Sequence, residues 1–131
     1  MFNFEKLDVW QEAIEFADLV YQLTRSFADE ERFGLTNRLR RAAVSVSSNI
    51  AEGSSRGSHS DFARFVEIAA GSLFETVSQA TVSRRQNFLH EVDYNRMDTA
   101  AEKQSRMLSG LRRSLLKSSL STLNIQLSTA R

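Results

Sequence analysis

The sequence predicts an all-α protein, an antiparallel up-down four-helix bundle, and three observations support this prediction. The 131 residues include no proline and only five glycines, so long uninterrupted helices are permitted. Apolar residues recur at alternating steps of three and four in four separate segments, which is the period of an amphipathic helix. No segment of useful length alternates polar and apolar residues as a half-buried strand does. Four such helices with short connections pack as an up-down bundle.

Helix 1 is predicted over about residues 5–27 and helix 2 over about residues 35–53. The polar turn 28–31 follows helix 1, whose apolar stripe comprises Leu7, Trp10, Ile14, Ala17, Tyr21 and Thr24. The stripe of helix 2 comprises Leu35, Leu39, Ala42, Ala43, Val46 and Ile50. Gly53 and Gly57 are its predicted stop signals, because glycine is common just past a helix end.

Helix 3 is predicted over about residues 60–87 and helix 4 over about residues 93–117. Ser58 and Asp61 have the spacing of a capping box at the start of helix 3, and Asp93 is the predicted N-cap of helix 4. After Lys117 the chain loses its charge and becomes rich in serine and threonine. Residues 118–131 are therefore predicted to form a frayed or disordered extension.

The composition indicates a single soluble domain without redox chemistry at cysteine. The chain is 41% hydrophobic and 25% charged, as globular proteins are. The absence of cysteine excludes disulfides and suits a reducing compartment. No apolar run approaches the ~20 residues of a membrane span, and the first residues lack the apolar segment of a signal peptide. A cytoplasmic location without membrane insertion is expected.

A charge gradient underlies the formal net charge of +1. Residues 1–31 contain two basic and eight acidic residues, a net charge of −6, whereas residues 93–131 contain seven basic and three acidic residues, a net charge of +4. Arginine outnumbers lysine by 14 to 3, and its planar guanidinium suits ion pairs, interfaces and phosphates. Acidic and basic helices that pack beside each other would also explain the gradient.

Helix 2 is predicted to pack on more than one side. At about 100° per residue, a polar arc lies opposite its core stripe, and small residues lie between the two arcs. A surface helix of a monomer usually carries long charged residues there, whereas small side chains let another helix approach. An interface or capping network, a ligand or nucleic-acid contact, and catalysis are the alternatives for the polar arc. The predicted oligomer interface comprises Arg41, Val44, Ser45, Ser48, Asn49, Ala51 and Glu52.

Basic residues on helices 2, 3 and 4 are candidate contacts to RNA or DNA. A ring of identical chains would repeat a modest basic patch and raise its avidity for a polyanion. Basic residues near helix C-termini also offset the helix dipole, which is the alternative explanation for several of them. The candidate contacts are Arg38, Arg40, Arg56, Arg84, Arg85, Arg106, Arg112, Arg113 and Lys117.

The sequence predicts no catalytic, cofactor-binding or metal site. His59 and His90 are isolated, and no helix carries the Glu-x-x-His motif of di-iron bundles. The segment EGSSRGS lacks the lysine and the spacing of a phosphate-binding P-loop. A non-enzyme is therefore expected.

Three segments carry a resemblance to a known family. KLDVWQEA at residues 6–13, GLTNRLRRAAVSVSSNIAEGSSR at residues 34–56 and FARFVEIAAGSLFE at residues 62–75 resemble the four-helix-bundle proteins encoded in intervening sequences of bacterial 23S ribosomal RNA genes. The resemblance extends over roughly residues 2–117, and its most specific parts are residues 40–53 and 68–75. The accessory proteins of diversity-generating retroelements are similar but more remote.

The resemblance implies a fold and a mode of assembly rather than a reaction. It implies an up-down four-helix bundle that assembles as a ring, commonly a homopentamer, with no known enzymatic activity. The retroelement relatives imply a basic surface that engages nucleic acid and a partner protein. The sequence thus predicts a non-catalytic homo-oligomeric binding or accessory protein with RNA or DNA as ligand. The alternative is a protein-binding scaffold that presents Trp10 and nearby acidic residues to a partner.

Overall fold

The predicted four-helix bundle is confirmed by a computed structural model, which describes residues 1–29 and 32–129. The helices are α1 (Asp8–Thr24), α2 (Asn37–Ser54), α3 (His59–Arg85) and α4 (Glu91–Thr129). No strand occurs among the described residues. Short connections make consecutive helices antiparallel, and α4 returns to pack against α1 as well as α3.

The core is formed by the apolar stripes that the three-four spacing predicts. Each helix contributes side chains that are almost completely buried, including Phe16, Leu39, Ile50, Leu73 and Leu108. Gln104 is also fully buried, and its Nε2 donates a hydrogen bond of 3.1 Å to the carbonyl oxygen of Val9. This bond fixes α4 against the first turn of α1.

Several helix ends differ from their predicted positions. The predicted helix over residues 5–27 is a 3-10 turn (Asn3–Lys6), an extended Leu7 and then α1. The segment Arg32–Thr36 before α2 is interrupted by a kink at Gly34, whose φ of −97° and ψ of −110° are not helical. Asn87 beyond α3 has a φ of 66°, a left-handed conformation that asparagine tolerates and that ends the helix.

Gly53 does not stop α2, which continues to Ser54. Its role is a close contact with α3, because a Cβ atom at this position would lie 2.6 Å from Phe65 Cβ and 2.9 Å from Phe62 Cδ1. A backbone without a side chain therefore allows the two helices to approach each other at this end of the bundle.

The two predicted N-caps have different outcomes. Ser58 caps α3, since its hydroxyl accepts a hydrogen bond of 3.1 Å from the backbone N–H of Asp61. Asp93 is not a cap, because α4 begins two residues earlier at Glu91. Its carboxylate lies in the first turn of α4, 3.4 Å from Arg96, where it favours the positive end of the helix dipole.

The C-terminal segment continues α4 instead of forming a separate extension. Residues 118–129 are helical, where the composition predicts a frayed or disordered chain. The segment contains neither glycine nor proline, so no residue in it ends the helix. Residues 130 and 131 lie outside the described part of the chain.

Candidate functional site

The surface of α2 that was predicted as an interface lies between two grooves. Arg41, Val44 and Ser48 are exposed along its outer ridge, and 39% of Val44 is accessible to solvent. One groove separates this ridge from α1 and the other separates it from α3. Arg41 and Ser45 line both grooves, so the ridge is bordered by polar concave surface on each side.

The α1/α2 groove has a volume of about 690 Å³. It contains a guanidinium that is held in place: Arg40 Nε donates a hydrogen bond of 2.9 Å to Thr24 Oγ1, and the Arg40 guanidinium carbon lies 4.6 Å from the centre of the Tyr21 ring. The groove is lined by Tyr21, Thr36, Asn37, Arg40, Arg41, Val44, Ser45 and Ser48.

The α2/α3 groove is closed at its base by hydrogen bonds within the chain. The hydroxyl oxygens of Ser45 and Ser72 lie 2.9 Å apart, and Asn49 Nδ2 donates to the backbone and side-chain oxygens of Ser45. Two of the seven predicted interface residues thus bond within their own subunit. The groove is lined by Arg38, Arg41, Ala42, Ser45, Ser72, Glu75 and Gln79.

Glu52, another predicted interface residue near the end of α2, forms an ion pair within its own chain. Glu52 Oε1 lies 2.9 Å from Arg56 Nη2 one turn later, and the Arg56 guanidinium carbon lies 4.5 Å from the centre of the Phe65 ring. Arg56, a candidate nucleic-acid contact, is therefore already paired with a carboxylate and an aromatic ring.

The candidate nucleic-acid contacts on α3 and α4 differ in whether another side chain of the protein already interacts with their charge. Arg84 stacks on Tyr94 at 4.4 Å, and Arg112 lies 3.7 Å from Glu67. Among the described residues, no carboxylate lies within 4 Å of the other exposed candidates on α3 and α4, which are Arg85, Arg106, Arg113 and Lys117.

Three of the free cations share one face of α4. Arg106, Arg113 and Lys117 are separated by seven and four residues, which places them on a single stripe of a helix. At 1.5 Å per residue the stripe is about 16 Å long. We call these three residues the α4 basic stripe. Arg112 points instead toward α3, so neighbouring arginines on α4 have different environments.

An apolar groove between α3 and α4 was missed by the sequence reasoning. Phe74 lies at its edge with 61% of its surface exposed, and Asp98 and Glu102 carry carboxylates on its rim. Neither carboxylate has a basic partner within 4 Å among the described residues. The sequence contained one signal for this groove, because Phe74 is a large aromatic residue one position away from the core stripe of α3. The α3/α4 groove is lined by Leu73, Phe74, Val77, Ser78, Asp98, Ala101, Glu102 and Ser105.

Trp10, the residue of the scaffold alternative, is half-buried rather than presented to a partner. Its ring meets the ring of Phe4 edge-on, with centres 5.1 Å apart, and it packs against the core. The nearby Glu12 lies 3.3 Å from Lys103 on α4. The 3-10 turn before α1 therefore covers part of the surface that the scaffold alternative needs.

The described residues contain no group of three or more histidine, cysteine, aspartate or glutamate side chains that could hold a metal ion. Within the same part of the chain, no helix combines the length and the hydropathy required to cross a membrane.

Comparisons with known proteins show what the chain is similar to. Residues 5–110 match the model of the 23S rRNA-intervening sequence protein family. The fold is similar to the crystal structure of a protein with unknown function from the S23 ribosomal protein family of Bacteroides thetaiotaomicron. That similarity has a TM-score of 0.74 and 21% sequence identity, and it covers 80% of this chain and 95% of that chain. No curated protein sequence matches this chain.

Proposed function

The chain belongs to the 23S rRNA-intervening sequence protein family, and we propose that it is a non-catalytic, homo-oligomeric protein that binds RNA or DNA. The observation that carries the nucleic-acid part is the α4 basic stripe. Its three cations are exposed and have no carboxylate within 4 Å among the described residues. Unpaired cations on one face are available to neutralise phosphates.

The stripe supports backbone recognition rather than base recognition. It lies on the outer face of an intact helix and spans about 16 Å, so it reaches only a few phosphates of one strand. Glu102 lies one turn before Arg106 and forms no ion pair with it. Contacts of this kind position a protein on nucleic acid without reading its sequence. Binding is expected to be weak for one chain and stronger for an assembly that repeats the stripe.

Self-association is supported by charge complementarity between two faces of the chain. Arg38 and Arg41 line the α2/α3 groove and have no carboxylate within 4 Å among the described residues. Asp98 and Glu102 line the α3/α4 groove beside the exposed Phe74, and neither has a basic group within 4 Å in the part of the chain that the structure describes. Glu75 also lines the α2/α3 groove, where its Oε1 accepts a hydrogen bond of 3.0 Å from Gln79 Nε2. The two arginines still outnumber this carboxylate, so the α3/α4 groove of one copy complements the α2/α3 groove of another in charge.

The two faces are different surfaces, so the contact is head-to-tail. Heterologous contacts of this type generate closed rings when the rotation between neighbours closes, which agrees with the pentamer that the family resemblance implies. Gln79 adds a polar group to the α2/α3 groove, because its Oε1 is buried and accepts no hydrogen bond among the described residues. A donor from the neighbouring copy would satisfy that oxygen after a rotation of the Gln79 side chain, because the oxygen is closed off from solvent in this conformation.

The salt dependence of binding to a labelled DNA duplex tests the nucleic-acid proposal. Three phosphate contacts per chain predict that affinity falls about 40-fold between about 50 mM and 200 mM salt. The same measurement with an RNA of equal length shows which polymer is preferred. Absence of binding to both at low salt would overturn the nucleic-acid proposal and favour a protein-binding scaffold.

A further inference from the structure

We propose that the α1/α2 groove binds a phosphate monoester through Arg40 and Thr36. The site lies on α1, α2 and the turn before α2, and it shares no residue with the α4 basic stripe. The inference therefore goes beyond nucleic-acid binding by the α4 basic stripe, and either of these two can fail without the other. Arg41 also lines the α2/α3 groove that is proposed for self-association, so assembly is measured alongside AMP binding. The volume of about 690 Å³ is within the range of pockets that take ligands of nucleotide size.

The guanidinium of Arg40 is preorganised for an anion. Its Nε atom is fixed by the hydrogen bond to Thr24 Oγ1, and one face of the guanidinium covers the Tyr21 ring. The Thr24 hydroxyl is itself held by the carbonyl oxygen of Val20 at 2.8 Å. A fixed guanidinium loses little conformational entropy on binding, and its terminal N–H groups match two oxygens of a phosphate.

These terminal N–H groups have no competing carboxylate. Among the described residues, no acidic oxygen lies within 4 Å of the Arg40 guanidinium, and no aspartate or glutamate lines the groove. Arg41 also lines the groove and adds a second positive charge. Two guanidinium groups without a counterion favour a ligand with two negative charges, as a phosphate monoester has near neutral pH.

The buried hydroxyl of Thr36 is a second, independent observation that favours a ligand in this groove. Only 5% of the residue is exposed, and its Oγ1 is buried without a hydrogen-bond partner among the described residues. Buried hydroxyl groups in native proteins are nearly always hydrogen-bonded, so an unpaired one in the wall of a groove calls for a partner. The Oγ1 atom is closed off from solvent in this conformation, so a rotation about the Thr36 χ1 bond would bring its hydrogen to a phosphate oxygen held by Arg40.

The remaining lining is compatible with an organic group attached to the phosphate. The aromatic ring of Tyr21 and the side chain of Val44 offer apolar surface, and Asn37 and Ser48 offer polar contacts along the groove. The phosphate could belong to a free small ligand or to the 5′ end of a nucleic acid. Both sources present the same chemical group to Arg40 and Thr36.

Calorimetric titration with AMP tests the site, with adenosine as the uncharged control and inorganic phosphate as the minimal probe. Binding of AMP but not adenosine is the expected result. Arg40→Gln should weaken AMP binding at least tenfold, because the bidentate charged contact is lost. Arg96→Gln is the matched control, since Arg96 lies in the second turn of α4 and does not line the α1/α2 groove, and it should leave AMP binding unchanged.

Thr36→Val separates ligand binding from a structural role. The substitution removes a buried hydroxyl that has no partner, so the midpoint of thermal unfolding should stay equal or rise. AMP binding should nevertheless weaken several-fold, because the hydrogen bond to the phosphate is lost. A fall in thermal stability with unchanged AMP binding would show a purely structural threonine and overturn its assignment to the site.

A second titration distinguishes the two sources of the phosphate. RNA with a 5′ phosphate is compared with the same RNA carrying a 5′ hydroxyl, in the unmodified protein and in Arg40→Gln. A preference for the 5′ phosphate that Arg40→Gln abolishes assigns the groove to a nucleic-acid end, whereas AMP binding without such a preference assigns it to a small ligand. Failure of AMP, inorganic phosphate and the 5′ phosphate at concentrations up to about 5 mM would overturn the proposal.

Discussion

Gly53 of α2 lies so close to Phe65 of α3 that a Cβ atom on the glycine would be 2.6 Å from Phe65 Cβ. The contact sits at the end of the bundle where α2 stops and α3 begins. Both partners are buried. Gly53, in the last turn of α2, therefore sets the distance between these two helices at this end of the bundle.

Gly53→Ala is expected to destabilise the protein by about 2 kcal/mol, because the added methyl group overpacks the contact with Phe65. The sign is informative, since alanine in place of glycine inside a helix normally stabilises by roughly 1 kcal/mol. Chemical denaturation at one fixed protein concentration measures the change.

Gly71→Ala on α3 is the matched control for this substitution. Gly71 is exposed and a Cβ atom there would meet nothing within 4 Å, so the helix propensity of alanine should stabilise by roughly 1 kcal/mol. Equal stabilisation by both substitutions would mean that α2 and α3 do not make the close contact.

The volume of the Gln104 side chain is expected to contribute more to the free energy of unfolding than its hydrogen bond does. Gln104→Met keeps most of the volume, removes the unpaired buried Oε1 and loses one hydrogen bond, so the free energy of unfolding should change by less than about 1 kcal/mol. Gln104→Ala leaves a cavity in the core and should destabilise by about 3 kcal/mol. Denaturant unfolding of both variants checks the difference, and a large loss with Met would show that the bond to Val9 dominates.

Arg113 and Lys117 are expected to account for most of the salt dependence of nucleic-acid binding. Removing both by substitution with alanine leaves one contact per chain, so affinity should fall only about 4-fold between about 50 mM and 200 mM salt. Arg112→Ala is the control, because Arg112 is paired with Glu67 at 3.7 Å. A salt slope that changes as much with Arg112→Ala would place the nucleic acid elsewhere.

Phe74→Glu is expected to convert the proposed oligomer to a monomer, because it puts a third carboxylate in the groove beside Asp98 and Glu102 and buries a charge in the contact. Light scattering coupled to gel filtration measures the mass, and a pentamer of the unmodified chain would have five times 14.8 kDa, about 74 kDa. Ile68→Glu is the control, since Ile68 is an exposed apolar residue of α3 outside this groove.

A charge exchange tests the complementarity of the two faces directly. Arg38→Glu alone should weaken assembly, because the neighbouring copy also presents acidic groups. Arg38→Glu together with Asp98→Arg in the same chain should restore part of the mass. A double variant as dissociated as Arg38→Glu would exclude a direct pairing of these two faces, and a monomeric unmodified protein would exclude self-association altogether.

The repeat of apolar residues at three and four positions was sufficient to predict the four helices and most of their buried faces. Leu39, Ala43, Val46 and Ile50 are all buried as expected, because the helical period determines which side chains share a face regardless of the rest of the chain. The helix ends were less accurate, as α4 shows by continuing to Thr129. An end depends on local capping bonds that several nearby residues can supply.

The sequence by itself determined the class of fold, the core stripes and the presence of many arginines on a nearly neutral chain. The tertiary structure alone decided which arginines are paired. Arg56 and Arg112 each lie within 4 Å of a carboxylate, whereas no carboxylate among the described residues lies within 4 Å of Arg113. It also placed Ser45 against Ser72, 27 positions away, and left Phe74 exposed beside two carboxylates. Such contacts depend on the rotation and axial offset of one helix against another. The periodicity within a single helix does not specify either quantity.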